Sequence, residues 1–221
     1  MNIVIDPDAE AILSVDSLKI ACQGVAVVAD DFPQLTQLVA KRDCIIITID
    51  ERRRSAYASA SYVGQVNLNP SKFANPSDLA RSYAQLTRTD TWSGNFHSVG
   101  TTEVHISSHE MGHLVERALI SKNHGGVEAT SRRGANYRQA VNAWNKHKEA
   151  TRVVGEACKR VKKTDYGKGK KNDDLVNAVS GYASKNRSEA LAECIADYAA
   201  NGANANPLSI AVHDIIKSEL G

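Results

Sequence analysis

The chain has 221 residues, a length that fits one domain with a single buried core. Its 27 basic and 25 acidic side chains leave a formal charge of only +2, which argues against a dedicated nucleic-acid binder. No apolar stretch is long enough to span a membrane, and Met1-Asn2-Ile3-Val4-Ile5-Asp6 lacks the basic start and long apolar run of a signal peptide, so a soluble cytoplasmic protein is expected.

In chain order, the first fifty residues are mixed. Gly24 to Ala29 is a short apolar run, and Asp30-Asp31-Phe32-Pro33 resembles a helix start leading to Lys41. Ile45 to Ile49, rich in branched side chains, predicts a strand, and Ala56 to Leu68 has room for another, with Gly64 weakening it. Pro76 to Leu86 predicts a short helix inside a segment rich in Pro, Ser, Asn and Thr. Trp92 to His97 then leads into a long helix over 101–120. That helix has an apolar stripe of Val104, Met111, Leu114, Val115, Ala118 and Leu119. Further helices are expected over Gly134–Val161, Asp173–Tyr182, from Ser188 as cap to about Ala200, and over Pro207–Leu220, with Asn201–Asn206 as the last turn. Strands early and helices late make the fold class α+β: a small mixed sheet and a mostly helical C-terminal half.

Two basic runs, Arg52-Arg53-Arg54 and Lys159 to Lys171, are most simply solvated surface. The four cysteines, at 22, 44, 158 and 194, form no C-x-x-C and no zinc-ribbon spacing, and are expected as buried free thiols.

The chemistry concentrates in His109-Glu110-Met111-Gly112-His113, an H-E-x-x-H motif. On a helix, residues four apart share a face, so His109 and His113 can offer two imidazoles to one metal ion. Glu110 lies beside the first ligand, where a general base for an activated water would stand. Gly112 in mid-helix costs about 1 kcal/mol against alanine and signals a close neighbour. His105, one turn earlier, is expected to support the site rather than ligate, because three successive histidines on one helix do not comfortably reach one tetrahedral ion. His97 is read either as a water-exposed loop residue or as a group that touches substrate or supports the site.

A catalytic zinc site takes three protein ligands. Glu116 and Leu119 stand where a continued H-x-x-G-x-x-H pattern would need Gly and His, so the third ligand must come from elsewhere. Glu189, Glu193 and Asp197 share one face of the helix expected after Ser188. The plain alternative is a solvated acidic face opposite Leu191, Ile195 and Tyr198. The functional reading makes Glu189 the ligand and gives Glu193 a hydrogen bond from a ligand histidine, leaving Asp197 to the surface or a helix contact.

His109, Glu110 and His113, followed by Tyr182, Asn186, Glu189 and Glu193, resemble the zincin domain of anthrax-toxin lethal factor and its relatives, which include metallopeptidase-like domains of bacteriophage and prophage proteins. Asn67 to Phe73 resembles the strand end and loop before the active helix of such domains. The resemblance covers residues 60–215 as a metallopeptidase core and leaves 1–55 as an N-terminal extension of unassigned role. It implies one zinc per chain on His109, His113 and Glu189, Glu110 as base, and Tyr182 as the residue that assists catalysis. It also implies an edge strand beside the active helix that pairs with extended substrate. Tyr62, Val63, Gly64, Gln65 and Val66, within the stretch to Leu68, are expected in that role. The implied function is zinc-dependent hydrolysis of a protein or peptide. The alternatives are a phage virion or assembly component that contacts phage structural proteins and keeps the site as a relic or structural metal, and a toxin-type effector protease. Virion association or export would need a route other than a signal peptide, and neither a membrane nor nucleic acid is an expected partner.

Overall fold

The computed structural model describes residues 2–39, 44–52, 55–61, 64–88, 96–124 and 135–221, with the backbone alone for 135–137. In chain order the elements are β1 (Asn2–Ile5), α1 (Pro7–Ile12), α2 (Val15–Asp31), α3 (Leu35–Val39), β2 (Cys44–Ile49), β3 (Ala58–Ala60), β4 (Gln65–Leu68), α4 (Pro70–Phe73), α5 (Pro76–Leu86), α6 (His105–His124), α7 (Ala135–Asn145), α8 (Lys148–Val161), α9 (Asn172–Asn177), α10 (Arg187–Asn201) and α11 (Pro207–Leu220). The class is mixed α+β, as expected, but helix is not confined to the C-terminal half: α1, α2 and α3 lie between β1 and β2. None of the described helices is long and apolar enough to cross a membrane.

Local chemistry sets many of the boundaries. Helices α1, α4, α5 and α11 each begin with an Asp or Asn cap followed by proline: Asp6, Asn69, Asn75 and Asn206 each accept a hydrogen bond from a backbone N–H of the first turn, at 2.9–3.1 Å. Proline fits there because its missing N–H would have no intrahelical partner.

The sheet runs β1-β2-β4-β3. β1, β2 and β4 are parallel, with Ile3 opposite Ile45 and Ile47 opposite Val66. β3 returns antiparallel to β4, Ala58 opposite Leu68 and Ala60 opposite Val66. Ile45, Ile47, Val66 and Leu68 are fully buried and join α2, α3, α6, α8, α10 and α11 in one continuous core. Residues 2–39 and 44–52 therefore supply two strands of the sheet and α2, which packs along α6.

Helix α6 is enclosed on all sides. From residue 105 to 121, every residue except His113 is buried. The expected apolar stripe is present from Met111 to Leu119, with Val104 half-buried before the helix begins, and the polar face is covered as well, by α10. Two glycines allow this. A Cβ on Gly24 would stand 2.4 Å from the Val104 carbonyl oxygen, and one on Gly112 would stand 2.6 Å from Ala192 Cα. Both contacts are with backbone, which cannot rotate away.

Several boundaries differ from the sequence expectation. α6 begins at His105, because residues 98–104 form a turn closed by Tyr83 Oη with Thr101 Oγ1 (3.0 Å) and Thr101 Oγ1 with the Ser98 carbonyl (2.7 Å). Asp30-Asp31 ends α2 rather than opening a helix, and Gly24 to Ala29 is the interior of α2. The single helix expected over Gly134–Val161 is two, broken at His147, whose φ of 48° is left-handed. α9 stops at Asn177, short of Tyr182. The cap of α10 is Asn186, not Ser188. Asn67 to Phe73 is the end of β4 and α4, with α5 standing between it and α6. All four cysteines are free thiols, with Cys44, Cys158 and Cys194 buried as expected but Cys22 only half-buried.

Gly112→Val should lower stability by about 1–3 kcal/mol through overpacking, a fall of roughly 2–12 °C in melting temperature. Gly155→Ala is the control: a Cβ there meets nothing within 4 Å, so the change should be neutral or stabilising. Equal melting temperatures for wild type and Gly112→Val would show that α6 and α10 are not in this contact.

Candidate metal centre

The close approach of α6 and α10 brings two pairs of side chains face to face. α6 presents His109 and His113, one turn apart; α10 presents Glu189 and Glu193, also one turn apart. The Asn186 side chain accepts the Glu189 N–H at 3.0 Å, which starts α10 so that Glu189 falls in its first turn. His109 Nε2 lies 3.1 Å from Glu189 Oε2, and His113 Nε2 lies 3.3 Å from the same oxygen. One ligating atom from each residue falls within 4.8 Å of the others. Tetrahedral zinc with bonds of about 2.0–2.1 Å has ligand–ligand edges of about 3.3–3.4 Å, so this triangle fits such an ion.

The far ring nitrogen of His113 is hydrogen-bonded and that of His109 faces a carboxylate, which leaves both Nε2 atoms toward Glu189. His113 Nδ1 lies 3.1 Å from Ser188 Oγ, and Ser188 Oγ–H donates in turn to Glu116. Glu116 is one turn after His113 and fully buried, and burial raises its pKa. His109 Nδ1 lies 2.9 Å from Glu193 Oε1, a charge contact too oblique for a well-formed hydrogen bond. Glu193 is 0 % exposed and accepts from Ser180 Oγ–H at 2.7 Å, with His97 Nδ1 3.0 Å from its other oxygen.

Electrostatics follow from this enclosure. Burial works against the Glu189 carboxylate, but His109 and His113 hold its pKa far below the usual range. Burial pulls His109 down, yet Glu189 and Glu193 raise it to about 10. In the metal-free protein the centre is therefore an ion pair between imidazolium and carboxylate.

Tyr182 stands beside the centre, its ring 5.5 Å from that of His109 and its backbone N–H donating to the Phe96 carbonyl at 3.0 Å. Burial and the neighbouring Glu189 raise the phenol's pKa, so it keeps its proton. Lys185 Nζ reaches both Tyr182 Oη (3.3 Å) and Glu189 Oε1 (3.7 Å). Glu110, only 7 % exposed, lines both halves of a cleft that passes the centre. One half, about 380 Å³, lies between Tyr57, Leu86, Phe96 and Ile106. The other, about 410 Å³, runs from Ala58–Ala60 to Trp144, His147 and Glu189.

Of the residues expected from sequence, the structure thus gathers His109, Glu110, His113, Tyr182, Glu189, Glu193 and His105 in one place. His97, 9 % exposed, supports Glu193 and is not a water-exposed loop residue. The acids of α10 are not a solvated face; Asp197 is buried and accepts from Asn201 Nδ2 and the Asn206 N–H, closing the turn before α11. The expected substrate strand needs correction. Tyr62 and Val63 lie outside the described residues. Gly64 opens β4 in a left-handed turn, and Gln65 and Val66 sit inside the sheet, paired with β2 and β3 and with Val66 0 % exposed. The edge strand along the cleft is β3, Ala58–Ala60. Sequence reasoning missed Ser180, Ser188 and Glu116. The last had a signal: Glu at i+3 from a ligand histidine lies on the same helical face.

The chain matches no protein-family model, and neither curated proteins nor solved structures include a significant match to it.

Because His109 is protonated in the metal-free protein, a metal taking its Nε2 must displace that proton. Zinc binding near pH 7.5 should release about one proton, and affinity should climb about tenfold per pH unit toward the His109 value of about 10. Calorimetry in buffers of different ionisation enthalpy reads this directly; no buffer dependence would refute the ion pair. Ser188→Ala should weaken zinc by about 10–100-fold, as loss of a ligand's hydrogen-bond partner does, in a chelator competition.

Proposed function

We propose that this chain is a zinc-dependent peptidase whose metal is held by His109, His113 and Glu189. One observation carries the reading. A possible base, Glu110, and a protonated phenol, Tyr182, both face the cleft beside the three-ligand triangle, where a purely structural metal would need neither.

Bound zinc would supply Lewis acidity to a water and to the scissile carbonyl. The rest belongs to the chain. Glu110 takes the proton of the attacking water and passes it to the departing amine. Tyr182 Oη donates to the oxygen that gains charge as the carbonyl carbon becomes tetrahedral. Lys185, within reach of that phenol, is placed to help orient it. Ser188 and Glu116 hold the ring of His113, and Glu193 borders that of His109, so the ligand geometry is set before substrate arrives.

β3 supports a peptide substrate. It is antiparallel to β4, lies at the sheet's end, and carries only Ala58, Ser59 and Ala60 beside the cleft. Small side chains leave space for an extended chain to add as a further strand, bound through its backbone. The cleft stands open along both halves among the described residues, which favours an enzyme over the assembly role.

Glu110→Gln should be folded, bind zinc normally, and lose about 10²–10⁴-fold in kcat on a peptide mixture scored by mass spectrometry. Tyr182→Phe should keep its zinc and lose about 10²–10³-fold. Glu189→Ala should lose the zinc held between His109 and His113. Cleavage by Glu110→Gln at the wild-type rate would sink the base assignment, and full zinc in Glu189→Ala would move the third ligand elsewhere.

A further inference from the structure

We infer that His97, His105 and Glu193 form a second metal centre, buried behind the first and suited to a divalent cation of the zinc, cobalt or nickel type. This does not rest on the peptidase reading; it rests on an imidazole that makes no hydrogen bond among the described residues and on the ligand triangle around it.

His105 is the first residue of α6, one turn before His109, and is 2 % exposed. Among the described residues, neither of its ring nitrogens makes a hydrogen bond. A buried imidazole left in that state is costly, because it has lost water and gained nothing in return. Its Nε2 points at Glu193, 3.6 Å from Oε1, and His97 Nδ1 lies 3.0 Å from the same oxygen. The three ligating atoms lie within 4.8 Å of one another. The edges of 3.0 and 3.6 Å bracket the value of about 3.3 Å for a tetrahedral zinc-class ion. This is the donor set of the first centre repeated one turn away: two imidazoles and one carboxylate, a combination suited to borderline transition cations rather than to calcium or magnesium.

Charge points the same way. Glu193 is fully buried, and its ion-pair contacts among the described residues are with His97, His105 and His109. The His105 atom that meets this carboxylate is Nε2, the nitrogen that would ligate a metal. Tyr83 stacks on His97 at 5.3 Å and flanks His105 at 5.7 Å, walling one side. His97 and His105 both border the active cleft, which gives an entry path and room for water as a fourth ligand.

A cation here would join three separate segments: the 96–98 segment, α6 and α10. Phe96, next to His97, accepts the Tyr182 N–H, so the same cation would secure the position of that tyrosine. Glu193 Oε1 would serve both centres, as ligand to one and as neighbour of His109 in the other.

The test is metal stoichiometry on the full chain, by cobalt titration with visible spectra and by elemental analysis after zinc dialysis. Two equivalents are expected in wild type. His97→Ala and His105→Ala should each bind one equivalent and keep the spectrum of the His109 centre. Glu189→Ala should also bind one, with the other spectrum. One equivalent in wild type, lost in Glu189→Ala but kept in His97→Ala, overturns the second centre and leaves the first standing. One equivalent lost in His97→Ala but kept in Glu189→Ala supports the second and removes the first. None in wild type overturns both. Should either histidine variant fail to fold, anomalous diffraction from zinc-soaked wild-type crystals decides: two peaks support the proposal, and a single peak between His109 and Glu189 overturns it.

Discussion

The contact between Gly112 and Ala192 is the constraint on which the site depends. It brings the axes of α6 and α10 close enough for side chains one turn apart on each helix to meet as pairs. A larger residue at either position would hold the helices apart by more than an imidazole and a carboxylate can span. The closeness also seals the site. Glu116, Glu193 and Asp197 are buried with α6 and α10 around them, and each finds hydroxyl, imidazole, amide or backbone partners. Burying such groups without those partners would be costly, so polar chemistry and tight packing here require each other.

The segment before β3 is part of the same arrangement. α2 approaches α6 at Gly24 as α10 does at Gly112, and Ser108 Oγ donates to the Gly24 carbonyl at 3.2 Å. α6 is thus clamped between two helices and laid over the sheet, which fixes the positions of His109 and His113. The segment around α2, which offers no motif, holds α6 in place from behind.

What the sequence made legible was chemistry carried by local spacing. H-E-x-x-H puts two histidines on one helical face because helical periodicity alone does so, and the four-residue spacing of Glu189 and Glu193 does the same for α10. Strand β2 was legible from its branched side chains. β3 was not, because Ala58-Ser59-Ala60 has no branched or aromatic residue; its strand character comes from pairing with β4. The cleft wall was accordingly sought a few residues too late, in what is an interior strand. The roles of Ser188 and His97 were hidden for a similar reason: each depends on a partner more than seventy residues away. Ser188 looked like a helix cap because serine usually is one, but Asn186 takes that position two residues earlier and leaves the Ser188 hydroxyl for His113 and Glu116.

The left-handed residue at the helix break has a mechanical consequence. His147 joins α7 to α8 in a conformation that is unfavourable without glycine, but its N–H donates to the Trp144 carbonyl at 2.9 Å and its carbonyl accepts the Thr151 N–H at 2.8 Å. The elbow is bonded on both sides, so α7 cannot swivel on α8 as it could about a loose joint. Trp144 and His147 form the rim of the cleft opposite β3, and α8 is anchored in the core against α10 and α11. The aperture on that side is therefore geared to the body of the protein: widening it means moving a core helix, not opening a flap.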